Sequence, residues 1–327
     1  MSGVIRTAMS PEVFDLLFDE VRMQRLRSLS SARSLRLDAG AFGDTEILLT
    51  SWGAPRLDAD LLDRMPQLRA VVHAAGSVQG LVSDELWERG IVVTSAADAN
   101  AVPVAEFTFA SIVLAFKRAF VHVRNQASES FGWGDLVGSG AYGRVGRTVG
   151  IVGFSRIGRR VVRMLQQLDG VTVLVADPFV DAGTVAAAGG ELVPLADMLP
   201  RTDVLSLHAP ALPETRHMIG RAQLAALRDG ATVINTARGS LIDHDALLHE
   251  CASGRIDAVL DVTDPDPLPV DAPLRRLPNV ALTPHIAGSM GTEVRRLADS
   301  ALDDIETLLR GGELAGAITR RDMELSA

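Results

Sequence analysis

Cysteine is all but absent: Cys251 stands alone in 327 residues. That excludes an internal disulfide framework and a cysteine-rich metal site. Lysine is as scarce, since of 32 basic residues only Lys117 is not an arginine. Any lysine-based Schiff-base chemistry would have to fall on that one position. Basic charge does not prevail either. The net charge of -9 argues against nucleic acid as the main partner, because phosphate backbones are met by a basic surface. It leaves room for an anionic metabolite, which needs only one or two well-placed arginines. No apolar run is long: FTFASIVLAF (107–116) is about half of the roughly 20 residues a spanning helix needs. The opening MSGVIRTAMSPEVFDLLFDE has early acids and no apolar core of a signal peptide, so the expectation is a cytoplasmic protein that does not engage a membrane. No short-period repeat and no low-complexity tract stands out.

What is present is ordinary for a globular chain, with 47% hydrophobic and 22% charged residues, and length enough for roughly two domains of about 150 residues. Short β-like runs alternate with helical patterns, which predicts an α/β fold with parallel sheets and crossover helices. In the first third, 46–50, 69–74 and 91–95 read as strands. DADLLDRM (58–65) and SDELWERG (83–90) read as helices opened by Asp or Ser caps. The arginine-bearing run 22–36 reads as a solvated helical face, and 102–124 as one long helix with a proline only near its start. A looser segment, 125–146, is the expected hinge. Beyond it, strands are placed at 148–153, 171–176, 203–207, 231–235, 256–261 and 280–283. In the helix from Arg156, Ile157, Val161, Leu165 and Leu168 recur at helical spacing and predict one buried face.

The first chemical signal is TVGIVGFSRIGRRVVR (148–163). A strand ends at Gly153 and a helix opens near Gly158, whose amide-rich amino terminus suits an anion. A dinucleotide turn has glycine at three positions, G-x-G-x-x-G; here Ser155 takes the middle one. The next strand ends at Asp177, about 20 residues on, where a carboxylate would meet the ribose hydroxyls of NAD. Pro178 and Phe179 follow, so no arginine waits for a 2′-phosphate, and NAD is favoured over NADP. The Ser155 hydroxyl could itself donate to a phosphate oxygen.

The second signal is spread over three strands. VINTARG leaves one at Arg238, whose planar fork can hold both oxygens of a carboxylate. AVLDVTDPDPLP leaves another with Asp261, then Asp264 and Asp266. NVALTPHIAG leaves a third at His285. A histidine oriented by a carboxylate is a competent proton donor near neutral pH, and the carboxyl edge of a parallel sheet is where ligands bind.

GIVGFSRIG with Asp177, HAPALPETRHMI (208–219), INTARGSLID, LDVTDPDPLP and TPHIAG occur in one order. Together with HAAGSVQG (73–80) and VPVAEFTFASIVLAFKR (102–118) they resemble the D-isomer-specific 2-hydroxyacid dehydrogenase family over nearly the whole chain. The resemblance implies two flavodoxin- or Rossmann-like domains with parallel sheets. A substrate domain (1–116 plus 288–327) would receive an inserted NAD-binding domain (117–287). It also implies a homodimer, and a chain without the appended regulatory domain of some long phosphoglycerate dehydrogenases. The activity implied is reversible hydride transfer between NAD(H) and a small anionic 2-keto or 2-hydroxy acid, with a glyoxylate- or hydroxypyruvate-type reductase as one form.

By the same resemblance, His285 would protonate the carbonyl oxygen, Arg238 would bind the substrate carboxylate, and Asp266 would partner the histidine. The family has a glutamate at that last position, and aspartate is one methylene shorter, a loss of about 1.5 Å of reach. Either the loop shifts inward or the pair is loosened; Asp264 falls off the motif. Gly153, Ser155, Arg156, Ile157, Gly158 and Asp177 would hold the pyrophosphate and adenosine ribose, and Asp261 the nicotinamide carboxamide. His208, Pro210, Thr215, Thr236, Ala237 and Gly288, with Arg238 and His285, complete the implied cofactor contacts. Backbone amides around Gly76, Ser77 and Val78 would meet the substrate carboxylate. Trp52 reads equally as a pocket wall or as core packing. Two other activities remain open: a non-catalytic, NAD-dependent binding protein like the corepressors of this fold, and a formate- or phosphite-type dehydrogenase.

Overall fold

The computed structural model describes residues 2–37, 42–125, 132–138, 140, 142–314 and 316–325. Packing divides it into two compact units, residues 1–101 with 289–327, and residues 102–288. Each is an α/β unit built on a parallel sheet.

The first unit's sheet consists of β1 (Ile5–Ala8), β2 (Ile47–Thr50), β3 (Ala70–His73) and β4 (Val92–Ser95), in that spatial order. All its pairings are parallel. The strand β1 escapes sequence reading because IRTA carries only two apolar residues. Its Arg6 is nonetheless buried, donating to Asp44 at 2.6 Å and Thr45 Oγ1 at 2.9 Å. The helix Val294–Leu309 lays Leu297, Ala301, Leu302 and Ile305 into one core cluster with Ile5, Ile47 and Val72. The arginine run at 22–36 is less solvated than expected. Its helix, Glu20–Leu29, ends early, and Arg22 and Arg25 reach across to Asp299, Asp303 and Glu306 of that last helix. Of the two expected caps, Asp58 accepts from Leu61 N. Ser83 stands at the N-cap of its helix, but its hydroxyl donates to the Leu57 carbonyl instead of making a capping hydrogen bond.

The second unit's sheet comprises β5 (Arg147–Val152), β6 (Val171–Ala176), β7 (Glu191–Leu192), β8 (Val204–Leu207), β9 (Thr232–Asn235), β10 (Asp257–Leu260) and β11 (Val280–Leu282). Their order is β11-β10-β9-β8-β5-β6-β7. The strand order reverses between β5 and β8, and the crevice outside the carboxyl ends at such a switch point is where doubly wound sheets hold ligands. The two-residue β7 is too short to show in sequence. The helix after the glycine turn is Gly158–Leu165, with Val161, Val162 and Leu165 buried; Leu168 lies beyond its end yet still packs on the same cluster.

One expected helix is two. Ala97–Ala115 is followed by a break, and a second helix runs over Ala119–Asn125. At the break Arg118 adopts φ +48, and its guanidinium holds the buried Asp257 through two hydrogen bonds of 3.0 Å. The first helix is long and apolar enough to cross a membrane by composition alone. Here Ala105, Ile112 and Ala115 pack instead with Val149, Ile151 and Ile234. The division between the two units at 101–102 falls inside this helix. The segment 125–146 belongs to the second unit, and its residues 126–131, 139 and 141 lie outside the described ones.

Candidate active site

The glycine turn follows β5. Gly153 has φ +92, and a Cβ there would lie 2.7 Å from Ala209 N. A Cβ on Gly158 would lie 2.0 Å from the Gly153 carbonyl oxygen. Both positions exclude every other residue, because real Cβ contacts do not come so close. The middle position is different. Ser155 is half-buried, and its Oγ accepts a long hydrogen bond of 3.5 Å from Gly158 N. The turn therefore closes without a glycine there. Arg156 is exposed beside it, with Ile157 half-buried. Asp177, at the end of β6, accepts from Phe154 N at 2.7 Å and Phe179 N at 2.8 Å, which fastens its carboxylate to the turn. A cradle that a Cβ would fill, a helix amino terminus and a carboxylate without a following base fit NAD.

His208 directly follows β8. Its ring is 4% exposed and fills space under the turn, with Nε2 2.9 Å from Ser206 Oγ and Nδ1 without a partner. Burial pushes its pKa down to about 3, so the ring is a neutral packing group. Thr215 is spent locally, its hydroxyl donating to the Pro210 carbonyl and accepting from Leu212 N.

Arg238 follows β9 in an extended conformation and is half-buried, and its Nη1 donates to the Ala237 carbonyl at 2.7 Å. Burial lowers its pKa, while the negative charge of Asp266 works in the opposite direction. The turn that carries it is held from several sides. Thr236 Oγ1 lies 2.7 Å from Thr108 Oγ1, a buried pair. Thr108 donates to the Val104 carbonyl, so Thr236 supplies the shared proton. A Cβ on Gly239 would lie 2.0 Å from the Thr263 carbonyl carbon, so the 263–267 loop rests directly on this turn.

After β10, Asp261 is 2% exposed and organises the histidine loop. Its carboxylate accepts from Thr283 Oγ1 at 2.6 Å and from the amides of Ile286 and Ala287 at 2.9 Å. Its carbonyl accepts from His285 N at 3.0 Å. His285 takes φ +57, a left-handed conformation that a histidine adopts only when its surroundings impose it. Its Nδ1 lies 2.7 Å from Asp266 Oδ2, so the shorter side chain still reaches the ring. Asp264 instead pairs with Arg216 at 3.1 Å. The second unit thus gathers Arg238, Asp261, Asp266 and His285 beyond three adjacent strands. Sequence reading did not single out Asn235, Thr108 or Gly239, whose roles depend on contacts remote in the chain.

Residues 110–287 match the model of the D-isomer specific 2-hydroxyacid dehydrogenase NAD binding domain. The chain is 34% identical over 258 residues to a glyoxylate reductase of Korarchaeum cryptofilum, covering 78% of this chain and 77% of that one. The chain belongs to the D-isomer specific 2-hydroxyacid dehydrogenases. It is also 32% identical to a D-3-phosphoglycerate dehydrogenase of Methanocaldococcus jannaschii over 83% of its own length, but spans only 51% of that relative. Among solved structures, a phosphoglycerate oxidoreductase from Rhizobium etli superposes with a TM-score of 0.80 at 25% identity, covering 98% of this chain and 99% of that one. Two-unit α/β architecture with parallel sheets is therefore the family's own.

The first unit also carries residues named from sequence. Trp52, after β2, is 43% exposed, and its carbonyl accepts from Ser10 N. Gly76 leaves room for Asn100, whose Nδ2 would lie 3.2 Å from a Cβ there. Ser77 Oγ accepts from Gln79 N, and Val78 is buried. Beneath this loop the buried His73 places Nδ1 2.9 Å from Thr50 Oγ1. Burial pushes its pKa down to about 4, with the Ser77 backbone pulling the other way.

Proposed function

We propose that the chain catalyses reversible hydride transfer between NAD(H) and C2 of a small 2-keto or D-2-hydroxy acid. The observation that carries this is the His285–Asp266 pair at 2.7 Å beside Arg238, in a family of 2-hydroxyacid dehydrogenases. When bound, the nicotinamide supplies the hydride. His285 donates the proton that turns the carbonyl oxygen into a hydroxyl and takes it back in the oxidative direction, as a positioned histidine can. Asp266 receives Nδ1–H, which orients the ring. Arg238 clamps the acid's carboxylate through its fork. Asp261 would hold the nicotinamide carboxamide, and Arg156, Ile157 and Asp177 the pyrophosphate and ribose. The amides of Gly76, Ser77 and Val78 would meet the substrate carboxylate, making the first unit the substrate-binding domain and the second the cofactor domain. A homodimeric, cytoplasmic glyoxylate- or hydroxypyruvate-type reductase is the form this reading takes, supported by the named glyoxylate reductase relative. The test is NADH oxidation against a panel of 2-keto acids that includes glyoxylate and hydroxypyruvate. Turnover with at least one is expected; NADH binding without turnover of any would overturn the enzymatic reading.

A further inference from the structure

We propose that Asn235 is a positioning residue that fixes the Arg238 guanidinium for the substrate carboxylate. The proposal rests on the substrate role of Arg238 given above. Asn235 ends β9 and is fully enclosed. Its flat amide spans the turn: Oδ1 accepts from Ala237 N at 3.0 Å, and Nδ2 donates to the Arg238 carbonyl at 2.8 Å. An N–H on one side and a C=O on the other fix which amide atom faces which. They also require a donor and an acceptor on one short side chain, which among the natural residues of this length only asparagine carries. The peptide that bears Arg238 is thereby pinned at both ends by one group.

The same residue reaches the proton donor. Its carbonyl accepts from Asp261 N at 2.9 Å, and the Asp261 carbonyl accepts from His285 N at 3.0 Å. Arg238 and His285 thus hang from a common buried node. Thr236–Thr108 and the Gly239 contact close the remaining sides of the turn. A guanidinium on a long stem keeps its aim only if the backbone beneath it does not shift, and misplacement by a fraction of an ångström is costly in a clamp of this kind.

The test is a double-mutant cycle with NADH and glyoxylate. Asn235→Ser keeps an acceptor for Ala237 N but cannot reach the Arg238 carbonyl, and Asn235→Asp keeps the acceptor and the shape without the donor. Each should lower kcat/KM by about tenfold or more while the NADH dissociation constant stays within about twofold, which also reports that the chain is folded. In the Arg238→Ala background the same changes should cost nothing further, because the group they aim is gone. A full additional loss in that background would assign Asn235 a general structural role and overturn the proposal. So would parental kcat/KM in the aspartate variant. Parental kcat/KM in Arg238→Ala alone would overturn the substrate role of Arg238, and the proposal with it.

Discussion

The carboxyl edges of the two sheets present opposite chemistry. After β2 and β3 stand Ser51, Trp52 and the loop from Ala74 to Gly80, without an ionised side chain. The titratable group at the end of β3, His73, is buried and held neutral, with a pKa of about 4. After β9, β10 and β11 stand Arg238, Asp261, Asp266 and His285. One edge offers backbone amides on a neutral support, and the other offers charge and a proton. Backbone amides can bind an anion without carrying net charge, whereas a histidine beside a carboxylate can also move a proton. The difference can be broken from the charged side and sharpened from the neutral one.

The largest effect is expected at Arg238. Arg238→Ala should lower kcat/KM for a 2-keto acid by ~10²–10³-fold. Arg238→Lys should be almost as damaging, since a point charge cannot reproduce bidentate binding. Steady-state kinetics beside NADH titration checks this. A lysine variant with near-parental efficiency would remove Arg238 from the substrate role.

Next comes the pair of His285 and Asp266. Asp266→Asn removes the carboxylate that lies 2.7 Å from the ring and orients it, so keto-acid reduction should slow by roughly tenfold or more. Asp264→Asn should leave the rate alone, because that carboxylate is turned to Arg216. With the 263–267 loop pressed against Gly239, Asp266→Glu should lose activity rather than gain it. Steady-state kcat/KM in the three variants decides. A parental rate in Asp266→Asn would detach Asp266 from the histidine.

How much of this was legible follows the same division. Gly153, Asp177, Arg238, Asp261, Asp266 and His285 each sit in a short local pattern at a strand end, so the sequence displays both the residue and its address. Asn235 lies in one of those patterns, but its amide reads as part of a turn until the structure shows both ends engaged. The break at Arg118 is set by Asp257, 139 residues away, and the Thr236 hydroxyl is held by Thr108, 128 residues away. No local window carries such contacts. The burial of the His208 ring is hidden for the converse reason: its motif is local, but burial is a property of the packed unit.

A smaller effect is expected at Asp177. With its carboxylate fastened by the amides of Phe154 and Phe179, the dissociation constant should be lower for NADH than for NADPH. Asp177→Ala should narrow that preference by about tenfold, the scale of one hydrogen bond to a charged group. A parent that binds NADPH more tightly would refute this reading of the β6 end.

The neutral edge should yield the smallest effect, one of stability rather than rate. The His73 pKa is pushed from 6.5 to about 4 by burial, so the unfolded chain takes up a proton at this residue before the folded one does. Above pH 6.5 neither state is protonated there and the residue adds no pH dependence. As pH falls from 6.5 towards 4, the unfolded state gains the proton and the folded state is progressively disfavoured; below about 4 the loss levels off. His73→Gln removes the titration while keeping a polar group near Thr50. Between pH 7 and pH 4.5 the parent's Tm should fall by roughly 5 °C more than that of the variant. His208, pushed down to about 3, titrates in both chains and so cancels in the difference. Thermal melts at stepped pH supply the measurement. Equal losses in the two chains would mean that the support beneath Ser77 is not the neutral, buried imidazole described.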